Sequence, residues 1–283
     1  MRAVLFAAVA LAGCSSEPLP VRDGGYVDTC FQPTDAGVFV EGFPALIPGC
    51  GGPGSSGAVL DLRAGGFWPV GGVLVVPAAD AGVPLPVVLV FHGAYGNGAQ
   101  VRQELPLDAA ADAGAIFVYP DAIARTWDIG PQSQDALAVD TLLRGLSERF
   151  CIDPSRIYAA GFSAGAIFTL YLGCNEGQTF RAIASVAGSD DRFDVGCCKV
   201  PTAAMLIHGT DDVTIPFDLG AATIDTLREE NGCSTQSVPD GSECVAYRQC
   251  TSGRPVDWCP WPGEHFVPDW AAATIWSFFA AGP

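Results

Sequence analysis

Gly161-Phe162-Ser163-Ala164-Gly165 follows the run Arg156-Ile157-Tyr158-Ala159-Ala160 and precedes Ala166-Ile167-Phe168-Thr169-Leu170. The first run reads as a strand and the second as the body of a helix. Ser163 then stands at the apex of a strand-to-helix turn. Such a turn is so tight that the positions two before and two after the serine must be small, and Gly161 and Gly165 meet that demand. The five residues therefore form a nucleophile elbow, which presents a serine hydroxyl at the end of a strand. An elbow serine is inert alone, so its partners must be sought elsewhere in the chain.

Working outward from the elbow, short β-branched and aromatic runs alternate with helical segments. Strands are expected at 73–76, 87–91, 116–119, 156–160, 183–186 and 203–207. Helices are expected at 101–113, 134–149, 164–173, 217–230 and 268–280. Val87-Val88-Leu89-Val90-Phe91 is apolar throughout, as a central strand covered on both faces should be. Residues 232–263 read as a cysteine-rich loop with a short strand near Val245-Ala246-Tyr247. The alternation predicts an α/β protein with a mostly parallel central sheet covered by helices on both faces. The chain has 283 residues, 49% of them hydrophobic, enough for one sizeable core. Charged residues make up 16%, and the net charge is −17. That balance excludes a basic nucleic-acid footprint and adhesion to anionic lipid through surface charge.

An elbow on a parallel strand of such a sheet is the arrangement of the α/β-hydrolase fold, where the chain order is serine, acid, histidine. The chain has three histidines. His92 and His208 each sit in a His-Gly pair at a strand end, a structural position. His265, in Trp261-Pro262-Gly263-Glu264-His265, is the one that follows every other partner, and it is the expected base. The acid should follow a strand beyond the elbow. His208-Gly209-Thr210-Asp211-Asp212-Val213-Thr214-Ile215-Pro216 does so, and its resemblance to the His-Gly-x-x-Asp-x-x-x-Pro pattern of α/β-hydrolases selects Asp212 over Asp211. The carboxylate would hold the imidazole tautomer and stabilise the imidazolium. Two backbone N–H groups are needed for an oxyanion hole. Ala164, at the start of the helix, supplies one, and the helix dipole favours negative charge there. The loop Phe91-His92-Gly93-Ala94-Tyr95-Gly96 supplies the other, with Ala94 preferred and Tyr95 the alternative. No metal and no cofactor are implied.

The N-terminus has a different character. Arg2 precedes the apolar run 3–12, which is about half the length needed to span a bilayer. It reads as a signal peptide over 1–13. Leu11-Ala12-Gly13-Cys14 resembles a bacterial lipobox, so Cys14 is an expected lipidation site; the alternative is ordinary cleavage nearby. Either way the protein is expected to be exported, lipid-anchored at the cell envelope or secreted. Residues 14–56 read as a spacer and irregular lead, and 57–283 as the catalytic domain. Eleven cysteines less Cys14 leave ten, suited to five disulfides in an oxidising compartment. A six-residue strand rising to the elbow and a ten-residue helix returning from it end near one another. A Cys151–Cys174 bridge is expected on that ground. Cys30 and Cys50 would tie down the lead.

The chain resembles the secreted feruloyl esterases related to poly(3-hydroxybutyrate) depolymerases and acetylxylan esterases. The resemblance spans roughly residues 48–280. It is carried by Pro48-Gly49-Cys50-Gly51, Leu89-Val90-Phe91-His92-Gly93, Val118-Tyr119-Pro120-Asp121 with Trp127, and the run from Phe150 to Tyr158 into the elbow. Later matches are Asn231-Gly232-Cys233, Tyr247-Arg248-Gln249-Cys250, Pro255-Val256-Asp257-Trp258-Cys259, Gly263-Glu264-His265 and Ile275-Trp276-Ser277-Phe278-Phe279. Ala166 and Glu264 depart from that family's pattern. The resemblance implies a serine esterase acting through Ser163, Asp212 and His265 on feruloyl or acetyl esters of xylan. Polyester depolymerisation and a non-catalytic binding lipoprotein are the alternatives. Trp127, Trp258 and Trp261 are read either as stacking surfaces for a phenolic acid or sugar or as core. The expected partner is an ester substrate on a polysaccharide, met by a monomer. Any membrane contact would be only through the lipid on Cys14.

Overall fold

A computed structural model describes residues 48–112, 114–130, 132–193, 200–241 and 243–283. The segment expected to be a signal peptide (1–13), Cys14, Cys30, Cys197 and Cys198 lie outside the described residues. A 3₁₀ turn, Pro48–Gly51, is followed by β1 (Ser55–Asp61), β2 (Gly72–Ala79), β3 (Leu85–Phe91), α1 (Gly98–Glu104), α2 (Leu107–Ala110) and β4 (Ile116–Pro120). Then come α3 (Gln134–Arg149), β5 (Ile152–Phe162), α4 (Ala164–Asn175), β6 (Ala182–Val186), β7 (Ala203–Gly209) and α5 (Phe217–Glu230). The chain closes with β8 (Ser237–Asp240), β9 (Cys244–Tyr247), β10 (Val256–Trp261) and α6 (Ala271–Ala280). All ten strands join one sheet in the order β1-β2-β4-β3-β5-β6-β7-β10-β9-β8. Neighbours from β4 to β10 run parallel, and the outer strands at both edges are antiparallel. This is the mostly parallel α/β-hydrolase sheet.

Side chains of β3 alternate between two cores, as the two-residue period of a strand requires. Val87, Leu89 and Phe91 pack with residues of α3, α4 and α5, including Leu142, Phe168 and Ile224. Val88 and Val90 pack with Val101 of α1, Leu107 of α2, and Ile275 and Phe279 of α6. Both faces of the sheet are therefore covered. Leu89 has no exposed surface. Truncating a side chain so placed to alanine removes about 2–5 kcal/mol of stability. α3 starts at Ser133, whose side chain accepts the Ala136 N–H. Its apolar residues Val139, Leu142, Leu143 and Leu146 recur at helical spacing on one buried face.

Three departures from expectation have local causes. The helix expected over 101–113 is broken after Leu105, because the ring of Pro106 disfavours helical backbone in the residue before it. β10 occupies part of the segment expected to be loop. β5 is 11 residues long, not six, and this overturns the Cys151–Cys174 pairing. Across the bulge at 153–156, Ile152 and Ile157 oppose Leu85 and Val87. Even with that slack the strand climbs on the order of 25 Å, whereas α4, with 12 residues, descends about 18 Å. Cys151 thus falls beyond the foot of the helix and bonds Cys50 in the 3₁₀ turn instead. Cys174 is also disulfide-bonded, to a different partner. Cys233–Cys250 and Cys244–Cys259 hold the excursion around β8 and β9. Disulfides of this number fit an extracellular protein folded in an oxidising compartment.

Candidate active site

β5 delivers Ser163 at its C-terminal end, between the ends of β3 and β6. The chain runs from β3 to β4 on one side and then returns to β5 on the other, so the serine lies where the strand order reverses. Ligands of open α/β sheets bind outside the carboxyl ends of the strands at such a point. Ser163 has φ 54° and ψ −120°. This is a strained setting for a residue with a side chain. Its N–H is held by the Val186 carbonyl at 3.0 Å. A Cβ at Gly161 would run into the Gly165 carbonyl, and one at Gly165 into the Phe91 carbonyl. The small residues of the elbow are thus demanded by backbone on both sides.

The other two side chains arrive from neighbouring parallel strands. β7 ends at Gly209 and the chain turns to Asp212. β10 lies beside it with Pro260 opposite His208 and Trp261 opposite Gly209. The two loops then bond directly, Thr210 N–H to Trp261 O and Asp211 N–H to Gly263 O, both at 2.9 Å. His265 is carried from there to the serine. Its Nε2 lies 2.9 Å from Ser163 Oγ, and its Nδ1 lies 2.7 Å from Asp212 Oδ2. A carboxylate can only accept, so Nδ1 carries the proton and Nε2 is free to accept from the serine hydroxyl. The ring of Phe162 packs on the imidazole at 5.2 Å between centroids.

Asp212 has a fully buried carboxylate. Its Oδ1 accepts the N–H groups of Thr214 at 2.8 Å and Ile215 at 3.0 Å. With His265 on Oδ2, the charge has three partners, as a buried carboxylate requires. Asp211 is exposed, and it contributes its backbone N–H to the loop contact. The two remaining histidines are buried and tied to backbone. Nε2 of His92 accepts the Ala122 N–H, and its Nδ1 faces the Gly93 carbonyl. His208 Nε2 donates to the Ile215 carbonyl at 2.9 Å. Burial lowers the pKa of both below the usual histidine value, keeping them neutral.

Ala164 opens α4, where the first N–H groups of a helix are free of intrahelical partners. In the β3–α1 loop, Gly96 N–H bonds Gly93 O at 3.1 Å, making a turn around Ala94 and Tyr95. The Tyr95 N–H is taken by the Arg125 carbonyl at 2.8 Å. Of the two donors weighed in that loop, Tyr95 is therefore already engaged. The loop after β4 supports this turn, a role that sequence reasoning missed. Asp135 accepts the N–H groups of Ile123 and Asp128, and Trp127 Nε1 donates to the His92 carbonyl at 2.7 Å. Trp127 and Trp258 are buried in the core, the first stacked on Phe168 and the second against Phe217. Trp261 is half-buried, edge-on to Phe266.

Known proteins give a consistent likeness. A family model described as phospholipase/carboxylesterase matches residues 133–251, which include the elbow and Asp212. Feruloyl esterase C of Emericella nidulans is 26% identical over 269 residues, covering 87% of this chain and 95% of that protein. A probable feruloyl esterase C of Aspergillus niger is 26% identical over 226 residues, covering 71% of this chain and 80% of its own. Among solved structures, the acetyl xylan esterase from Aspergillus awamori superposes with a TM-score of 0.61 at 16% identity. It covers 79% of this chain and 100% of that one. At that identity the superposition speaks for the fold. On its fold and these likenesses, the chain is a carboxylic ester hydrolase with the α/β-hydrolase fold that resembles the feruloyl esterases.

Proposed function

We propose that the chain is an exported serine esterase that cleaves feruloyl or acetyl esters of plant cell-wall polysaccharides through an acyl-enzyme at Ser163. The observation that carries this reading is the unbroken hydrogen-bond chain Ser163 Oγ–His265 Nε2, His265 Nδ1–Asp212 Oδ2. The substrate class is supported by the activities for which the relatives are named. Ser163 Oγ attacks the ester carbonyl carbon, and its proton passes to His265 Nε2. The carbonyl oxygen becomes an oxyanion, held by the N–H groups of Ala164 and Ala94. The tetrahedral adduct collapses, the C–O bond to the alcohol breaks, and His265 returns its proton to the leaving oxygen. Water then attacks the acyl-serine, giving a proton to His265. Collapse releases the acid, and the proton returns to Ser163. Asp212 orients the imidazole and offsets its charge throughout. The signal peptide over 1–13 leads to export, and Cys14 carries a lipid that leaves the catalytic domain as a monomer on a spacer.

The test is hydrolysis of methyl ferulate, acetylated xylan and poly(3-hydroxybutyrate) side by side, by the wild-type chain and by Ser163→Ala. Release of ferulate or acetate that is lost in the variant supports the reading. Activity retained by Ser163→Ala refutes the triad, and activity confined to the polyester refutes the substrate class.

A further inference from the structure

Proteins seldom leave large apolar side chains exposed without reason when they cluster at one place. Three such residues here are chain neighbours of the candidate machinery. Tyr95 is 76% exposed and follows Ala94, Val213 is 88% exposed and follows Asp212, and Phe266 is 48% exposed and follows His265. The hydrogen bonds among Ser163, His265 and Asp212 bring the last two to one place. Tyr95 joins them because Gly93, two residues earlier, lies against Ser163: a Cβ at Gly93 would come within 3.4 Å of Ser163 Cβ. The other strongly exposed large apolar residues among those described lie on the edge strands β1 and β8, in the loop before β3 and on α3.

Two of the three side chains are held in place. Phe266 stands edge-on to Trp261 at 4.8 Å. The Arg125 guanidinium lies 5.8 Å from the Tyr95 ring centroid. That separation is within cation–π range. Tyr95 is also strained. Its φ is 62°. It holds the third position of a turn where, at such a φ, glycine or asparagine is the ordinary choice. Strain of this kind persists where the surroundings impose it, and it concentrates at ligand sites. A glycine at 95 would fold the same turn more easily but would present no ring.

We infer that Tyr95, Val213 and Phe266 form an apolar rim that receives the aromatic ring of the substrate's acyl group, with Tyr95 as the stacking residue. The inference rests on the proposed esterase reading and narrows it, favouring an aromatic acyl ester over an acetyl ester on a sugar. An apolar rim suits a flat aromatic ring better than the hydroxyl-covered rim of a pyranose. Tyr95 would then be a specificity residue, and Arg125 would act through it as a positioning residue.

The experiment compares kcat/KM for methyl ferulate, an acetylated xylo-oligosaccharide and ethyl acetate, in wild type, Tyr95→Gly and Tyr95→Phe. Ethyl acetate carries neither ring. The ratio of methyl ferulate to ethyl acetate should fall about tenfold in Tyr95→Gly, the size of one stacking contact, and should be retained in Tyr95→Phe. Phe266→Ala should lower the same ratio in the same direction. An unchanged ratio in Tyr95→Gly overturns the inference, as does a fall confined to the acetylated sugar. Loss of all ester hydrolysis in wild type would instead refute the esterase reading, so the two failures are distinguishable.

Discussion

Replacing Asp212 by asparagine changes one atom that matters, and the surrounding backbone dictates the consequence. Oδ1 of Asp212 accepts two N–H groups, from Thr214 and Ile215. An amide nitrogen cannot accept, so the asparagine must keep its oxygen at that side. Its NH₂ is then turned toward His265 Nδ1, where Asp212 Oδ2 stands at 2.7 Å in the native chain. Two donors cannot face each other, so His265 must move its proton to Nε2. That nitrogen can then no longer accept the Ser163 hydroxyl proton. The wrong tautomer in a Ser-His-Asp triad lowers kcat by about 10⁴, or about 5 kcal/mol of barrier. The fold should survive, because the buried hydrogen bonds of Oδ1 persist and a buried charge is removed. The assay is kcat for 4-nitrophenyl acetate, with the thermal unfolding midpoint as the check on folding. Asp211→Asn is the control. Asp211 is exposed and contributes backbone to the loop, so its rate should stay within about twofold of wild type. A folded Asp212→Asn that loses less than about tenfold would refute the orienting role, and an equal loss in Asp211→Asn would refute the choice between the two aspartates.

The disulfides give a ranked pair of stability changes. Cys50–Cys151 closes a separation of 101 residues and Cys233–Cys250 one of 17. Chain entropy then assigns about 4.7 and about 3 kcal/mol to them. Urea unfolding of the paired serine variants should rank them in that order, and the reverse order would contradict it. Asp257 supplies a pH dependence. Burial in β10 raises its pKa to about 6, against the pull of Arg248, which bonds it from just past β9. A folded pKa above the unfolded value favours the folded state while the group is protonated. That contribution is whole below about pH 4 and is lost as pH rises past 6, by about 3 kcal/mol. Between pH 4 and 7 the stability of Asp257→Asn should therefore gain on wild type. A difference independent of pH would refute the shift.

How much the sequence disclosed depends on where each feature stores its information. β3, with five apolar residues in a row, and the periodic α3 and α5 are local patterns, and the expected and observed ranges agree within a residue or two. Ser163 and Asp212 were legible as candidates because each follows an expected strand, and His265 because the order along the chain leaves no other histidine to choose. β10 was not. It carries Asp257, whose charge is answered by Arg248 in the loop just past β9, and Pro260, which lies beyond the stretch that β9 pairs with. Proline is tolerated at such a sheet margin, but locally it argues against a strand. β1 escaped notice because nearly all of it is exposed, so it has no buried face to imprint a pattern. The Cys151–Cys174 expectation failed on one length. A strand taken as six residues was 11, and a bulge hid the excess behind the half-buried Asp153 and the exposed run 154–156. Disulfide partners are set by where elements end in space, and the sequence records those ends least well.

The central claim is that Ser163 is a nucleophile activated by His265. A fluorophosphonate reagent reports on this directly, because it phosphonylates only a serine whose proton can be taken by a neighbouring base. Intact-mass and peptide analysis of the labelled wild-type chain should give one adduct, on the peptide carrying Ser163. The adduct should be absent in Ser163→Ala and formed about 10³-fold more slowly in His265→Ala, on the scale of general-base assistance. An adduct on another serine, or no adduct on folded protein, would contradict the account.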